Sequence, residues 1–468
     1  MTVPALMTDL YQLTMLAGYQ HQGMEKTPAV FDLYFRTPPY QGSYAVFAGL
    51  QPALDYLHKL RFTDAELGYL ESLGLFRRAF LDYLKAFRFS GRVTAPAEGS
   101  VVFPHEPLIT VEAPLAEAQL VETALLNIIN FQTLVATKAA RITQAAAPAT
   151  VVEFGLRRAQ GPDGALSVAR AAYIGGVRST SNLQAGAEFG IPVKGTHAHS
   201  WIMAFDDELS AFRAYAELFP DNCILLVDTY DTLASGVPNA ITVAAELRTG
   251  GHELLGIRLD SGDLAYLSKS ARKMFDAAGF PEVKIVASNE LDEQVIHSIR
   301  SENGRVDLYG VGTRLATCAG EGGGALGGVY KLVEYNGSPR MKFTAEAVKS
   351  TLPGKKKVLR LVNGQDKYAG DIICRLDDRL AYGDLIYDPE NPSRQKRLGA
   401  GVLKELHREV MNAGAQTASA PSLDALADHA ASELKRLPEG SLRLHNPHRY
   451  KVSISESLYL LRDRLHQS

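Results

Sequence analysis

From residue 149 to residue 313 the hydrophobic positions of this chain gather into short unbroken runs: ATVVEFG, GIPVKGT, CILLVDTY, LLGIRLDSGD, VKIVASNE and VDLYGVGT. Stretches of helical composition separate them, among them VPNAITVAAELRTG and LAYLSKSARKMFDAAG. Continuous apolar runs, unlike alternating ones, predict strands buried on both faces. With helices between them, at a spacing of about thirty residues, they predict βα units and a parallel sheet.

The polar residues that end these runs choose between two architectures. Glu153 and Arg157, Thr196 and His199, Asp228 and Asp231, Arg258 and Asp260, Ser288 and Asn289, and Thr313 all stand at or just past a strand end. An open doubly wound sheet concentrates its ligand groups at one switch point. A closed barrel brings every C-terminal strand end to one rim. The expected fold is therefore α/β, with an irregular TIM-like (β/α) barrel.

Outside this region the periodicity changes. Thr63 to Phe89 reads as helical, GRVTAPAEGSVVFPHEPLITVEAP as short strands broken by Pro and Gly, and Leu115 to Gln144 again as helical. A β-rich return segment runs from YKLVEYNG to AGDIICRL. After it comes a tail whose SLDALADHAASELKRL is amphipathic and capped by Ser422. The expected organisation is an N-terminal α/β domain over 1–118 with a return segment 333–395, the barrel over 119–332, and a helical C-terminal extension over 396–468.

Bulk properties narrow the class. The chain has 468 residues, 46% hydrophobic and 22% charged, with 49 basic and 52 acidic side chains and a net charge of -3. That balance suits a soluble globular protein and advertises neither nucleic acid nor an anionic membrane as partner. Cys223, Cys318 and Cys374 are far apart and form no CxxC, as expected of reduced thiols in a cytoplasmic protein. The start, MTVPALMTDLYQL, lacks the pattern of a signal peptide. ALLNIINFQTLVAT is interrupted by Asn127, Asn130 and Gln132 and is too short for a membrane span.

The candidate chemistry is that of phosphate. Arg157 and Arg158 follow an apolar strand beside a Gly-rich turn, and guanidiniums match phosphate oxygens bidentately. GVGTRLATC, with Gly312 and Thr313, and ALGGVYKL, with Gly327 and Gly328, offer bare backbone N–H groups suited to a phosphate. Arg258 and Asp260 share a strand face, with Asp263 on the next turn, and VDTYDT places Asp228 and Asp231 similarly. Taken one at a time, these acids read equally as members of ion pairs. Collectively, with Ser288 at a neighbouring strand end, they suggest a ligand with hydroxyls, Mg²⁺ and phosphates, such as a ribose phosphate with a diphosphate arm.

GIPVKGTHAHSW carries two histidines, His197 and His199, two residues apart. The spacing and the lack of nearby Cys or a third His argue against a metal. His197 reads as a satisfied strand-end histidine. His199 stays open between a proton shuttle and a phosphoryl acceptor. Lys194 also allows a Schiff-base sugar-phosphate aldolase or isomerase, and a ligand sensor without catalysis is a further alternative. The Lys355–Lys357 run reads as a solvated loop.

These segments together resemble the nicotinate phosphoribosyltransferase family, type II phosphoribosyltransferases of NAD salvage. The similarity runs through TDLYQLTM, FRTPPYQGSYAVFAGL, NFQTLVATKAARI, EFGLRRAQGPDGAL, AAYIGGVRSTSN, GIPVKGTHAHSW, VDTYDTLASGVPNAI, IRLDSGDL, GVGT, LGGVYKLV, PGKKKVLR and LHNPHRYKVSIS. Nicotinamide phosphoribosyltransferases differ at RRAQG and GTHAHS, and the quinolinate enzyme is much shorter. The resemblance implies ATP-coupled transfer of phosphoribose from 5-phosphoribosyl 1-diphosphate (PRPP) to nicotinate, with Mg²⁺.

It further implies that His199 is phosphorylated by ATP, whereas His197 falls at a position the family varies. Arg258 matches the ligand of the nicotinate carboxylate and Tyr11 the ring-stacking residue. Thr196 falls near the pyridine and Thr313 on PRPP, with Asp260 as a carboxylate able to stabilise an oxocarbenium ion. Lys138 and Arg141 match ATKAARI and either reach a phosphate across a dimer or form a solvated helix face. A homodimer with its sites at the subunit boundary is the implied assembly.

Overall fold

The computed structural model describes residues 3–342 and 351–467; part of MKFTAEAVKSTLPG lies outside them. The chain divides into two compact units, Lys138–Gly320 and a second made of Met1–Thr137 with Glu321–Ser468.

The unit formed by the two chain ends holds two large sheets and a two-stranded one that pairs Ala45–Val46 with Val101–Val102. One large sheet is seven-stranded and antiparallel throughout, with Pro28–Tyr34 in its interior between Val329–Tyr335 and the central strand Ile109–Pro114. Pro28–Tyr34 is buried at every position after the first, and Phe31 stacks on Tyr330 at 4.9 Å. The other sheet is six-stranded and mixed, with Lys356–Val362 antiparallel to Tyr368–Arg375 and Val452–Ser455 parallel to the latter. Helices Asp64–Ser72 and Arg78–Ala86 realise the periodicity seen at Thr63 to Phe89, the first opened by a capping box between Thr63 and Glu66.

The C-terminal extension is not simply helical. Helix Leu423–Arg436, capped by Ser422, and helix Glu456–Gln467 are present. Val402–Glu405, Arg408–Asn412, Ala415–Gln416 and Val452–Ser455, however, are strands of the two sheets. The turn at Ala413–Gly414 has positive φ at both residues, 47° and 72°, which suits a tight hairpin. A Cβ on Gly414 would stand 2.1 Å from the Phe89 carbonyl oxygen, so only glycine fits there. The lysine run is likewise no solvated loop. Lys356 enters a strand and is buried against Asp32, while Lys355 pairs with Glu112 at 2.6 Å.

The unit Lys138–Gly320 carries a five-stranded parallel sheet in the order Thr150–Glu153, Leu308–Val311, Lys284–Ser288, Gly256–Leu259, Ile224–Leu226. Single parallel bridges, Glu153 to Thr180 and Thr180 to Val193, carry the pairing two segments further. Among the described residues no backbone ladder joins the Val193 segment to Ile224–Leu226. The parallel α/β sheet expected from the sequence is thus present, with Ile224–Leu226 at one edge of its ladder, and backbone pairing does not close it into a barrel among the described residues.

Aspartates and an asparagine start the helices that cover this sheet. Asn182, Asp207, Asp263 and Asp292 each accept a backbone N–H of the first turn. Asp231 does the same for the turn Thr232–Gly236. Asp231 and Asp263, read above among the strand-end acids, therefore serve as caps. The three cysteines are buried and form no disulfide, and burial pushes the Cys223 and Cys374 thiols up to about 12, leaving them inert as nucleophiles. Among the described residues no helix is long and apolar enough to cross a membrane.

Candidate active site

The C-terminal strand ends of the parallel sheet open into a cavity of about 410 Å³. Arg157, Arg158, Thr196, His199, Arg258, Asp260, Ser288, Gly312 and Thr313 all line it, and so does His197. Strand ends far apart in sequence meet there because parallel strands run the same way.

Arg258 is the most constrained group. Its Nε donates to Ser288 Oγ at 2.8 Å, Nη1 to Thr196 Oγ1 at 3.1 Å and Nη2 to Asp260 Oδ1 at 2.8 Å. The guanidinium carbon also lies 5.7 Å from the centre of the Phe154 ring. Two of its five N–H donors are left for a ligand.

Asp260 links that arginine to the histidine. Oδ1 takes the Arg258 and Ser288 donors, and Oδ2 stands 3.6 Å from His199 Nε2. Burial opposes ionisation of Asp260, but the Ser288 hydroxyl and the Arg258 charge outweigh it and hold the carboxyl below its usual range. On the other side of the ring, His199 Nδ1 meets Thr229 Oγ1 at 3.1 Å. Thr229, between the aspartates of VDTYDT, was not singled out from sequence; a polar strand-end position was its only signal.

Asp228 works from behind this surface. Its Oδ2 accepts the Asp260 N–H at 2.8 Å and the Ser261 hydroxyl at 2.6 Å, fixing the turn that carries Asp260. His197 is buried, accepts the Leu226 N–H at Nε2 (3.2 Å) and packs edge-on against Tyr215. Burial, aided by the Arg258 charge, lowers its pKa to about 4 against a weaker pull upward from the Ala198 backbone, so the ring is neutral.

The phosphate-type groups lie on the rim. Arg157 and Arg158 stand exposed on the turn Leu156–Arg158. Thr313 donates to Glu290 Oε1 at 3.0 Å, and Asn289 and Glu290 hold consecutive left-handed conformations. Glu290 and Phe154 were missed in the sequence. Gly310 and Gly312 are needed for close approach: a Cβ on Gly310 would come within 2.5 Å of the Phe154 ring, and one on Gly312 within 3.0 Å of the Phe154 carbonyl oxygen.

The remaining predicted residues do not line the cavity. Lys138 and Arg141 are buried, and both pair with Glu293, at 2.5 and 3.1 Å; neither belongs to a solvated face. Lys194 is exposed and outside the lining. Tyr11, Gly327 and Gly328 belong to the other unit. Tyr11 is half-exposed on helix Leu10–His21, Gly327 has a positive φ, and Gly328 packs on Asn130. Among the described residues no group of three or more His, Cys, Asp or Glu side chains is gathered to hold a metal.

Comparison with known proteins covers nearly the whole chain. Residues 6–130 match the model of the nicotinate phosphoribosyltransferase (NAPRTase) N-terminal domain, 149–365 that of the nicotinate phosphoribosyltransferase (NAPRTase) family, and 355–462 that of the C-terminal domain. A nicotinate phosphoribosyltransferase of Bacillus subtilis is 43% identical over 97% of this chain and 94% of its own length. The Homo sapiens protein of that name is 35% identical over 97% and 95%. The crystal structure of human nicotinic acid phosphoribosyltransferase superposes with a TM-score of 0.88 at 34% identity, over 98% of this chain and 99% of that one. A nicotinate-nucleotide pyrophosphorylase from Pyrococcus furiosus, 22% identical with a TM-score of 0.72 over 92% and 95%, shares the fold.

Proposed function

The chain belongs to the nicotinate phosphoribosyltransferase family, and from that premise we propose that it transfers phosphoribose from PRPP to nicotinate and couples the transfer to ATP through His199. The observation that supports this most is the Asp260 bridge, with one carboxylate oxygen on Arg258 and the other facing His199. A carboxylate-binding arginine and a phosphoryl-accepting imidazole thus share one neighbour.

Arg258 receives the nicotinate carboxylate on its two remaining N–H donors, with Thr196 and Ser288 holding the guanidinium plane. Nicotinamide offers no charge to match. Tyr11 supplies the stacking face, from a second copy of the chain in a homodimer. The C1–oxygen bond of PRPP breaks with its electron pair leaving on diphosphate, while the pyridine nitrogen forms the new bond to C1. Asp260, held ionised, faces the positive charge that builds at C1. Arg157, Arg158 and Thr313 take the phosphate oxygens.

Magnesium fits as an ion carried in on the diphosphate. The Glu290 carboxylate on the rim would give that ion an oxygen ligand from the protein, and the ion would neutralise charge on the departing diphosphate. ATP phosphorylates His199: a ring nitrogen bonds to the γ-phosphorus, and the bond to ADP breaks. The phosphoryl group adds up to about two negative charges beside the substrates. A tenfold gain in substrate affinity needs only about 1.4 kcal/mol of coupling.

The test is mononucleotide formation from nicotinate, PRPP and Mg²⁺, with and without ATP, in the native protein and in His199→Asn. ATP is expected to accelerate the native enzyme and not the variant. Full ATP stimulation of His199→Asn would remove the residue from this role.

A further inference from the structure

Two side chains span the gap in the parallel sheet. Ile224–Leu226 pairs with Gly256–Leu259 on one side only. On its free side the Leu226 N–H, buried and unable to reach water, donates to His197 Nε2 at 3.2 Å. An amide left without a partner there would cost about 1–3 kcal/mol. Three residues on, Thr229 Oγ1 meets His199 Nδ1 at 3.1 Å.

The segment that would supply the missing ladder is the one carrying both histidines. Its backbone pairing ends at Val193, bridged to Thr180 on the far side. Beyond that point contact with the 224–229 segment passes through imidazoles. Ala198, extended at φ -107° and ψ 166°, is the N-cap of the short helix His199–Met203, so one ring stands just before that helix and the other on its first residue, and both meet the 226–229 segment. The His197 ring is fixed on a second side by Tyr215, whose ring centre is 4.7 Å away at 65°. Because Nε2 accepts, the ring proton sits on Nδ1, and a protonated ring would lose the bond.

We infer that His197 is a positioning residue acting through His199: the two imidazoles are rungs of a side-chain ladder standing where a backbone ladder is missing, and the first sets the distance of the second from Thr229. Its effect on catalysis rests on the reading of His199 given above, whereas the ladder itself rests on geometry.

His197→Leu removes the acceptor at similar bulk, and His197→Gln keeps one. Two measurements on the full-length enzyme decide the matter. Backbone amide exchange over residues 224–229 is expected to quicken in His197→Leu and to return toward native in His197→Gln. Phosphoryl transfer from γ-labelled ATP to the enzyme in a single turnover is expected to slow roughly tenfold in His197→Leu, as misplacement of a reacting group does, with rescue by Gln. Native exchange in His197→Leu, or Gln no better than Leu in both assays, overturns the inference. So does exchange that quickens throughout Lys138–Gly320 in both variants, which marks general loosening. A native enzyme that takes no label from ATP refutes the role given to His199 instead, and the exchange comparison alone then decides the rung.

Discussion

Arg258 and Asp260, two residues apart at the end of one strand, bond to each other through Nη2 and Oδ1 at 2.8 Å, and that bond helps hold the guanidinium in the cavity wall with Thr196 and Ser288. Each of its three nitrogens has a different fixed partner. A lysine ammonium cannot hold three such directions and still face a carboxylate with two parallel donors.

Arg258→Lys is therefore expected to raise the KM for nicotinate about 10- to 100-fold, the range of a lost charge-assisted pair of 1.5–3 kcal/mol. The KM for PRPP should change far less, and discrimination between nicotinate and nicotinamide should shrink. Steady-state kinetics with each substrate varied in turn checks this. Equal rises in both KM values would mean that Arg258 serves the cavity as a whole and not the pyridine carboxylate.

Gly310 links packing to the same arginine. A methyl group there would press on Cδ2 and Cε2 of Phe154 at 2.5 Å, and the Phe154 ring flanks the Arg258 guanidinium. Gly310→Ala is expected to cost about 1–3 kcal/mol of stability, as overpacking does, and to lower kcat/KM for nicotinate through the displaced ring. Thermal unfolding and kinetics read the two effects separately. A variant of native stability and native kcat/KM would show that Phe154 has room to move.

What the sequence revealed of the fold follows burial. The strands of the parallel sheet are covered on both faces, with Leu225, Leu226, Ile257, Leu259, Ile285 and Ala287 fully buried, so they read as unbroken apolar runs. Their polar ends read as a site for the same reason: a side chain past the last buried position has no core to satisfy it. Strand pairing at long range left no such mark. Val402–Glu405 and Arg408–Asn412 are short and half polar, and they become strands by joining Lys356–Val362 and Arg92–Ala95. Lys138 and Arg141 look like a solvated helix face until Glu293, 152 residues beyond Arg141, arrives to neutralise both. His197 and His199 were told apart in the sequence, one as a strand-end histidine and the other as a candidate for chemistry, but their partners, Leu226 and Thr229, left no mark there.

The neutral state of His197 has a consequence for stability against pH. Its pKa in the folded protein is lowered to about 4, chiefly by burial, whereas an unfolded histidine titrates near 6.5. Between these values the unfolded chain binds a proton that the folded chain refuses, so stability rises with pH across that window. The contribution is fully present above about pH 6.5 and is lost progressively as pH falls through about 4. The size is at most about 3.5 kcal/mol, from a shift of that span at about 1.4 kcal/mol per unit. His105, His407 and His429 are shifted in the same direction, so the native protein alone cannot isolate one ring. The difference between native protein and His197→Leu can. Denaturant unfolding at pH 7 and at pH 5 should show the native protein losing more stability on acidification than the variant does. Identical losses would mean that His197 is protonated in the folded protein at pH 5, and its bond from the Leu226 N–H could not then exist.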